Sequence, residues 1–275
     1  MDDILSNQYG LTFNPFCSDI PIEAMTLGAQ LDSFLFRVQQ QLRDGGFIAV
    51  TGEPGVGKSA ALRIVAERLS KLGDVEVGIL TRPQSNNADF YRELGHLFSV
   101  PLVPHYRWAG FKTLRETWTA QIEASRNRPV LLIDEAQEVP APVLAELRIL
   151  ASTDFDSRSL LTVVLAGDGR LTRHFRHEDL LPIASRIRVR LHLPHLLPDQ
   201  LLAALDHLLE QAGRPDLLTP EVRRTLAEHA AGNLRILLNM ANDLLDAAAR
   251  RRLEHIDAKL YFDLFNPKPA PRATT

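Results

Sequence analysis

Apolar residues recur at helical spacing between Leu27 and Leu42, where Leu31, Phe34, Leu35, Val38 and Leu42 share one face, and Asp44-Gly45-Gly46 closes the helix. A short apolar strand over residues 47–50 follows at once, then a glycine-rich run, then a helical pattern carrying Ala61, Leu62, Ile64, Val65 and Leu69. A second strand is predicted over 75–80, followed by a helix containing Phe90, Leu94 and Leu97 and another around Leu114, Trp118 and Ile122. Val130-Leu131-Leu132-Ile133 reads as a buried strand, residues 142–151 as a helix and residues 160–166 as a further apolar strand. Ile187, Val189 and Leu191 alternate with Arg188, Arg190 and His192, the pattern of an edge strand. Five strands alternating with helices predict an α/β fold with right-handed crossovers. The sheet should be mainly parallel, covered on both faces, with any ligand at the carboxyl ends of its strands.

Beyond Pro194 the strand signals stop. Residues 198–212, 220–231, 234–251 and 257–265 each carry helical periodicity, which predicts a small all-helical second domain. The expected organisation is an N-terminal segment (1–26), an α/β domain (27–194), a helical domain (195–265) and a tail (266–275). The tail has Pro267, Pro269 and Pro271 and no apolar periodicity, and is expected to be disordered. No internal repeat is found.

Composition narrows the class without naming a task. With 45% hydrophobic and 24% charged residues over 275 positions, the chain resembles an ordinary globular protein with a sizeable core. No apolar run approaches the roughly 18 residues of a membrane span, and Met1-Asp2-Asp3 lacks the basic start of a signal peptide, so a cytoplasmic protein is expected. Cys17 is the single cysteine, which excludes an internal disulfide. A net charge of −3 excludes a global basic field, so any nucleic-acid contact must come from a local patch. Arg186, Arg188 and Arg190, and the run Arg250-Arg251-Arg252, have few acids nearby.

The candidate chemistry lies in two places. Gly52-Glu53-Pro54-Gly55-Val56-Gly57-Lys58-Ser59, followed by Ala60, fits a phosphate-binding loop between a strand and a helix. Its glycines let backbone N–H groups face phosphate oxygens, and the helix adds its positive end. Lys58 would place a charge on the β and γ phosphates, and Ser59 a hydroxyl in a magnesium shell. Asp134 closes the buried strand and would complete that shell, while Glu135 beside it would take a proton from the attacking water. ATP and Mg2+ are therefore the expected cofactors of an ATPase.

The P-loop, the segment Leu132-Ile133-Asp134-Glu135-Ala136-Gln137 and the helical domain together resemble the AAA+ ATPases. Tyr9-Gly10-Leu11-Thr12-Phe13-Asn14-Pro15-Phe16 and Gly232-Asn233-Leu234-Arg235 are similar to the ExeA-type branch. That branch includes secretion-associated ATPases and the TniB-, TnsC- and MuB-like regulators of DNA transposition. The resemblance covers residues 9 to 262 and implies a five-stranded P-loop NTPase sheet followed by a helical lid. It implies that Arg235 is a sensor-2 residue reaching the γ phosphate, that Arg186 in Ala184-Ser185-Arg186-Ile187 is an arginine finger acting on a neighbouring subunit, with Arg188 the competitor, and that Phe16 lies near the adenine. One departure is visible: where a polar sensor-1 residue is usual, the strand runs into Ala166-Gly167-Asp168-Gly169-Arg170, and Asp168 is the substitute.

The secretion proteins of this branch carry a membrane span and a peptidoglycan-binding region beyond the ATPase part, so a chain of this length is expected to resemble the transposition regulators. The implied function is ATP-dependent assembly as a homo-oligomeric ring or helical filament on duplex DNA, without sequence preference, and recruitment of a transposase. The alternatives are a secretion-associated assembly ATPase acting on protein partners and a nucleotide-gated signalling switch. By the same resemblance the DNA-facing residues fall within 81–115, where Arg82, Arg107, Lys112 and Arg115 are the candidates, with His105, Tyr106 and Trp108 interleaved.

Overall fold

Phe47, Ile48, Ala49 and Val50 are buried on both faces of the strand they form, β1 (Gly46–Gly52). The computed structural model describes residues 8–25, 28–102, 107–154 and 157–265, with the side chain of Arg107 also outside the description. Helix α1 (Ala29–Gln41) enters β1 through Gly45 and Gly46, whose φ angles of 68° and 109° let the chain leave the helix within a few residues. There follow α2 (Lys58–Ser70), β2 (Val75–Leu80), α3 (Asn87–Leu97), α4 (Arg107–Ser125) and β3 (Arg128–Ile133). After these come α5 (Ala141–Ala151), β4 (Thr162–Gly167), the short α6 (Gly169–His174) and α7 (Leu181–Ala184), and β5 (Ile187–Leu193).

The five strands form one sheet in the order β2-β3-β4-β1-β5, and every neighbouring pair is parallel. Helices cover both faces, which is why β3 and β4 read as continuous apolar runs rather than alternating ones. At the edge, β5 alternates buried Ile187, Val189 and Leu191 with exposed Arg188 and Arg190, as its sequence predicts. One core layer joins Phe90, Leu94, Phe98, Leu114 and Trp118 to Leu131, Ile133, Val163 and Leu165. Within it the Phe98 and Trp118 rings meet edge to face at 5.2 Å.

Two compact units emerge, residues 27–194 and residues 1–26 with 195–275. The second contains α8 (Pro198–Gln211), α9 (Pro220–His229), α10 (Leu234–Arg251) and α11 (Ala258–Phe265). Leu201, Leu205, Leu226, Leu237 and Leu244 fill its core, and Tyr9, Leu11 and Phe16 insert among them. The N-terminal segment is thus part of this unit. Thr12 N–H donates to the Ala212 carbonyl at 3.1 Å, and Arg214 Nη1 to the Tyr9 carbonyl at 2.6 Å.

The sequence pattern places Leu160 and Leu161 in β4, but the strand begins only at Thr162. The two leucines are buried and form the connection to β4 from a small antiparallel ladder, Ser152–Thr153 against Arg158–Ser159. An apolar run marks burial and does not separate a strand from the loop packed before it. The tail 266–275 lies outside the described residues. No helix among the described residues is long and apolar enough to cross a membrane.

Leu132, buried near the carboxyl end of β3, tests the packing against the sheet. Leu132→Ala is expected to lower the unfolding free energy by about 2–5 kcal/mol in urea titrations, because the sheet and its covering helices cannot close around the lost volume.

Candidate nucleotide-binding site

At the end of β1 a Cβ on Gly52 would stand 2.5 Å from the Leu193 carbonyl oxygen and 2.8 Å from Val56 Cγ2, so only glycine fits. Gly55 and Gly57 have φ of 86° and 101°, the left-handed region that glycine adopts freely, and they fold the loop back to the amino end of α2. Lys58 opens that helix and is 5% exposed. Its Nζ donates to the carbonyls of Gly52 at 3.0 Å and Glu53 at 3.1 Å, so the buried ammonium is satisfied by the loop it must serve. Ser59 Oγ donates to Asp134 Oδ2 at 2.6 Å, which places two oxygen ligands for a hard cation side by side. Among the described residues no group of three or more His, Cys, Asp or Glu could hold a metal. Two protein oxygens suit Mg2+, which keeps most of its shell for water and phosphate.

Strand β3 delivers the second half of the site. Asp134 Oδ1 accepts the N–H of Glu135 at 2.9 Å, and Glu135 turns the chain with a left-handed φ of 49° into a single 3-10 turn, Ala136–Glu138. Gln137, inside that turn, donates from Nε2 to Glu135 Oε2 and accepts at Oε1 from the Asp168 N–H at 3.2 Å. Asp168 caps α6 by accepting the Arg170 N–H at 2.8 Å. Its carboxylate pairs with Arg170 Nε at 2.9 Å, and Arg170 Nη1 reaches Glu138 at 2.8 Å. Burial works to raise the Asp168 pKa. The hydrogen bonds from Arg170, together with the charges of Arg170 and Lys58, overcome it and hold the carboxyl below its ordinary value of 3.8.

The P-loop residues, Asp134, Glu135 and Asp168 therefore come together at the carboxyl ends of β1, β3 and β4. The other predicted site residues belong to other elements, Phe16 and Arg235 to the helical unit and Arg186 and Arg188 to the α/β unit. Phe16, expected near the adenine, is packed in the core of the helical unit and is 3% exposed. Arg235 is exposed in the first turn of α10, within that unit, after the cap in which Asn233 Oδ1 accepts the Ile236 N–H at 3.2 Å. Arg186 is half-buried and donates to the Pro182 carbonyl just before β5. Arg188 is exposed and lies 3.5 Å from Asp44.

Of the four predicted DNA contacts, Arg82 is exposed, and Lys112 is exposed and 3.7 Å from Glu116. The side chain of Arg107 falls outside the described residues, as do His105 and Tyr106. Arg115 holds structure together: it donates to the carbonyls of Ile149 and Ser152 at the end of α5, and its guanidinium lies 5.1 Å from the Phe111 ring centroid. The Ile149 carbonyl is among the last acceptors of that helix, which have no partner within it. Sequence reasoning did not single out Gln137 beyond its place in a motif. The strand-terminal Asp-Glu pair was its signal, but its partner Asp168, just after β4, is 31 residues away.

A parallel sheet in this order, with a phosphate loop after β1 and an Asp-Glu pair after β3, is the fold of the AAA+ P-loop NTPases, and residues 40–175 match the family model of the AAA domain. The chain is 30% identical over 254 residues to general secretion pathway protein A of Aeromonas hydrophila, across 90% of this chain and 45% of that protein. It therefore spans about half the length of that curated relative. Among solved structures, Cdc6p of Pyrobaculum aerophilum superimposes with a TM-score of 0.72 at 15% identity, over 88% of this chain and 67% of the other. Orc1 of Aeropyrum pernix, solved in complex with DNA, gives 0.68 at 20% identity, over 90% and 67%. At these identities the two structures speak to the fold.

The depressed pKa of Asp168 sets a pH dependence. Its folded value lies below the unfolded one, so its stabilisation is complete above about 3.8 and is lost as pH falls through the folded value. In urea midpoints compared between the parent and Asp168→Asn, the difference is expected to stay constant from pH 7 to about 5 and to shrink steadily below about 4.

Proposed function

We propose that this chain is a magnesium-dependent ATPase of the ExeA type, a nucleotide-driven assembly ATPase acting on protein partners. One observation carries the enzymatic part: Lys58, the Ser59–Asp134 pair and Glu135 converge at one end of a parallel sheet. The loop amides and Lys58 would neutralise the phosphates, and Ser59 with Asp134 would hold a magnesium ion, which would supply further positive charge beside them. Glu135, beside the ion site, would orient the attacking water and take its proton. Arg235 is assigned to sensing the γ phosphate and Arg186 to completing a neighbouring subunit's site, so turnover would depend on a homo-oligomer.

The ExeA-type task is supported by 30% identity extending through both units to a general secretion pathway protein. A second reading, a cytoplasmic regulator of transposition that assembles on duplex DNA and recruits a transposase, is supported by a separate observation. Arg82, Lys112 and Trp108 are exposed in the segment between β2 and β3, and Trp108 is 74% exposed. Each subunit would neutralise one or two phosphates, so many subunits along a duplex would supply the affinity of a chain whose net charge is −3.

Sedimentation with and without duplex DNA, in ATP or a slowly hydrolysed analogue, separates the two. The ExeA-type reading expects nucleotide binding indifferent to DNA. Large nucleotide-dependent particles on DNA, weakened by charge reversal at Lys112 and by added salt, would establish the second. For either, Lys58→Ala is expected to abolish nucleotide binding, and Glu135→Gln to retain ATP while slowing turnover by about a hundredfold or more. Parental turnover by Glu135→Gln would remove Glu135 as the base. Arg186→Ala is expected to bind ATP normally and to lose turnover in assemblies, and full activity in that variant would refute a trans finger.

A further inference from the structure

Glu135 presents an exposed carboxylate from a left-handed turn, and a base that must meet one water has to be held in one orientation. Gln137 supplies that hold. It is 5% exposed, its Nε2 donates to Glu135 Oε2, and its Oε1 accepts the Asp168 N–H at 3.2 Å. One carboxylate oxygen of Glu135 is thereby fixed, which leaves Oε1 to take a proton. The slot that Gln137 occupies depends on the end of β4: a Cβ on Gly167 would stand 2.5 Å from Gln137 Oε1. Behind the slot, Arg170 joins Asp168 to Glu138, so both neighbours of the amide are braced by one guanidinium.

We infer that Gln137 is a positioning residue for Glu135, tying its carboxylate to the backbone at the end of β4. This deepens the ATPase reading and rests on it. Ala166 and Gly167 offer no polar side chain there, and the Gln137 amide takes up the main-chain donor that the strand end presents.

Two substitutions separate positioning from simple support of the turn. Gln137→Met keeps the length and removes both hydrogen bonds. Gln137→Glu keeps an acceptor for the Asp168 N–H but sets an oxygen where Glu135 needs a donor. A supporting role would spare the second variant, whereas positioning predicts that it is the worse. Expected are a kcat about tenfold lower for Gln137→Met and about a hundredfold lower for Gln137→Glu, with KM and the affinity for a fluorescent ATP analogue within about twofold of the parent. Parental kcat in either variant, or a loss confined to KM, overturns the inference. Lys58→Ala is assayed alongside. A parent no faster than Lys58→Ala defeats the ATPase reading and the inference with it, while an active parent matched by Gln137→Met or Gln137→Glu defeats the inference alone.

Discussion

The pairing of β1 between β4 and β5 is the constraint on which the site depends. Thr51 lies opposite Gly167 on one side and His192 on the other, so the phosphate loop leaves the sheet level with the end of β4. On the far side of β4, Ile133 lies opposite Leu165, and Asp134 therefore emerges into the same space. Three segments far apart in sequence, 52–59, 134–138 and 167–170, converge because parallel strands end together and their crossovers pass over the faces. The buried apolar strands keep that register, since any slip would move side chains out of a core already closed on both faces.

Charge in the site is placed against this apolar background with each buried group answered. Lys58 is held by two carbonyls and Asp168 by Arg170 and a main-chain amide hydrogen. An ammonium or carboxylate buried without such partners would cost several kcal/mol, so these bonds allow a charged site to persist at the sheet end. Phosphate would offer Lys58 a stronger acceptor than the carbonyls it now serves, because the acceptor would itself be charged.

The helical unit is built on a different economy of contacts. Its helices bury a leucine stripe, and the N-terminal segment seals one side with Tyr9, Leu11 and Phe16. A segment expected near the adenine thus contributes packing to this unit. Arg115 makes the same point within the α/β unit: a basic residue in a region assigned to DNA is bonded to the end of a neighbouring helix.

Much was written in the sequence itself. Helical and strand periodicities located the five strands and the four helices of the second unit, because one buried face or two imposes its own spacing on apolar residues. The P-loop and the Asp-Glu pair were legible because backbone turns, a point charge and metal oxygens are needed at fixed short intervals. The tertiary structure decided what depends on distant neighbours: that β1 stands between β4 and β5, that Leu160 and Leu161 precede their strand, and that Phe16 belongs to a core. It also decided that Gln137 meets Asp168, because a hydrogen bond across 31 residues leaves no periodic trace and exists only once two strands end side by side.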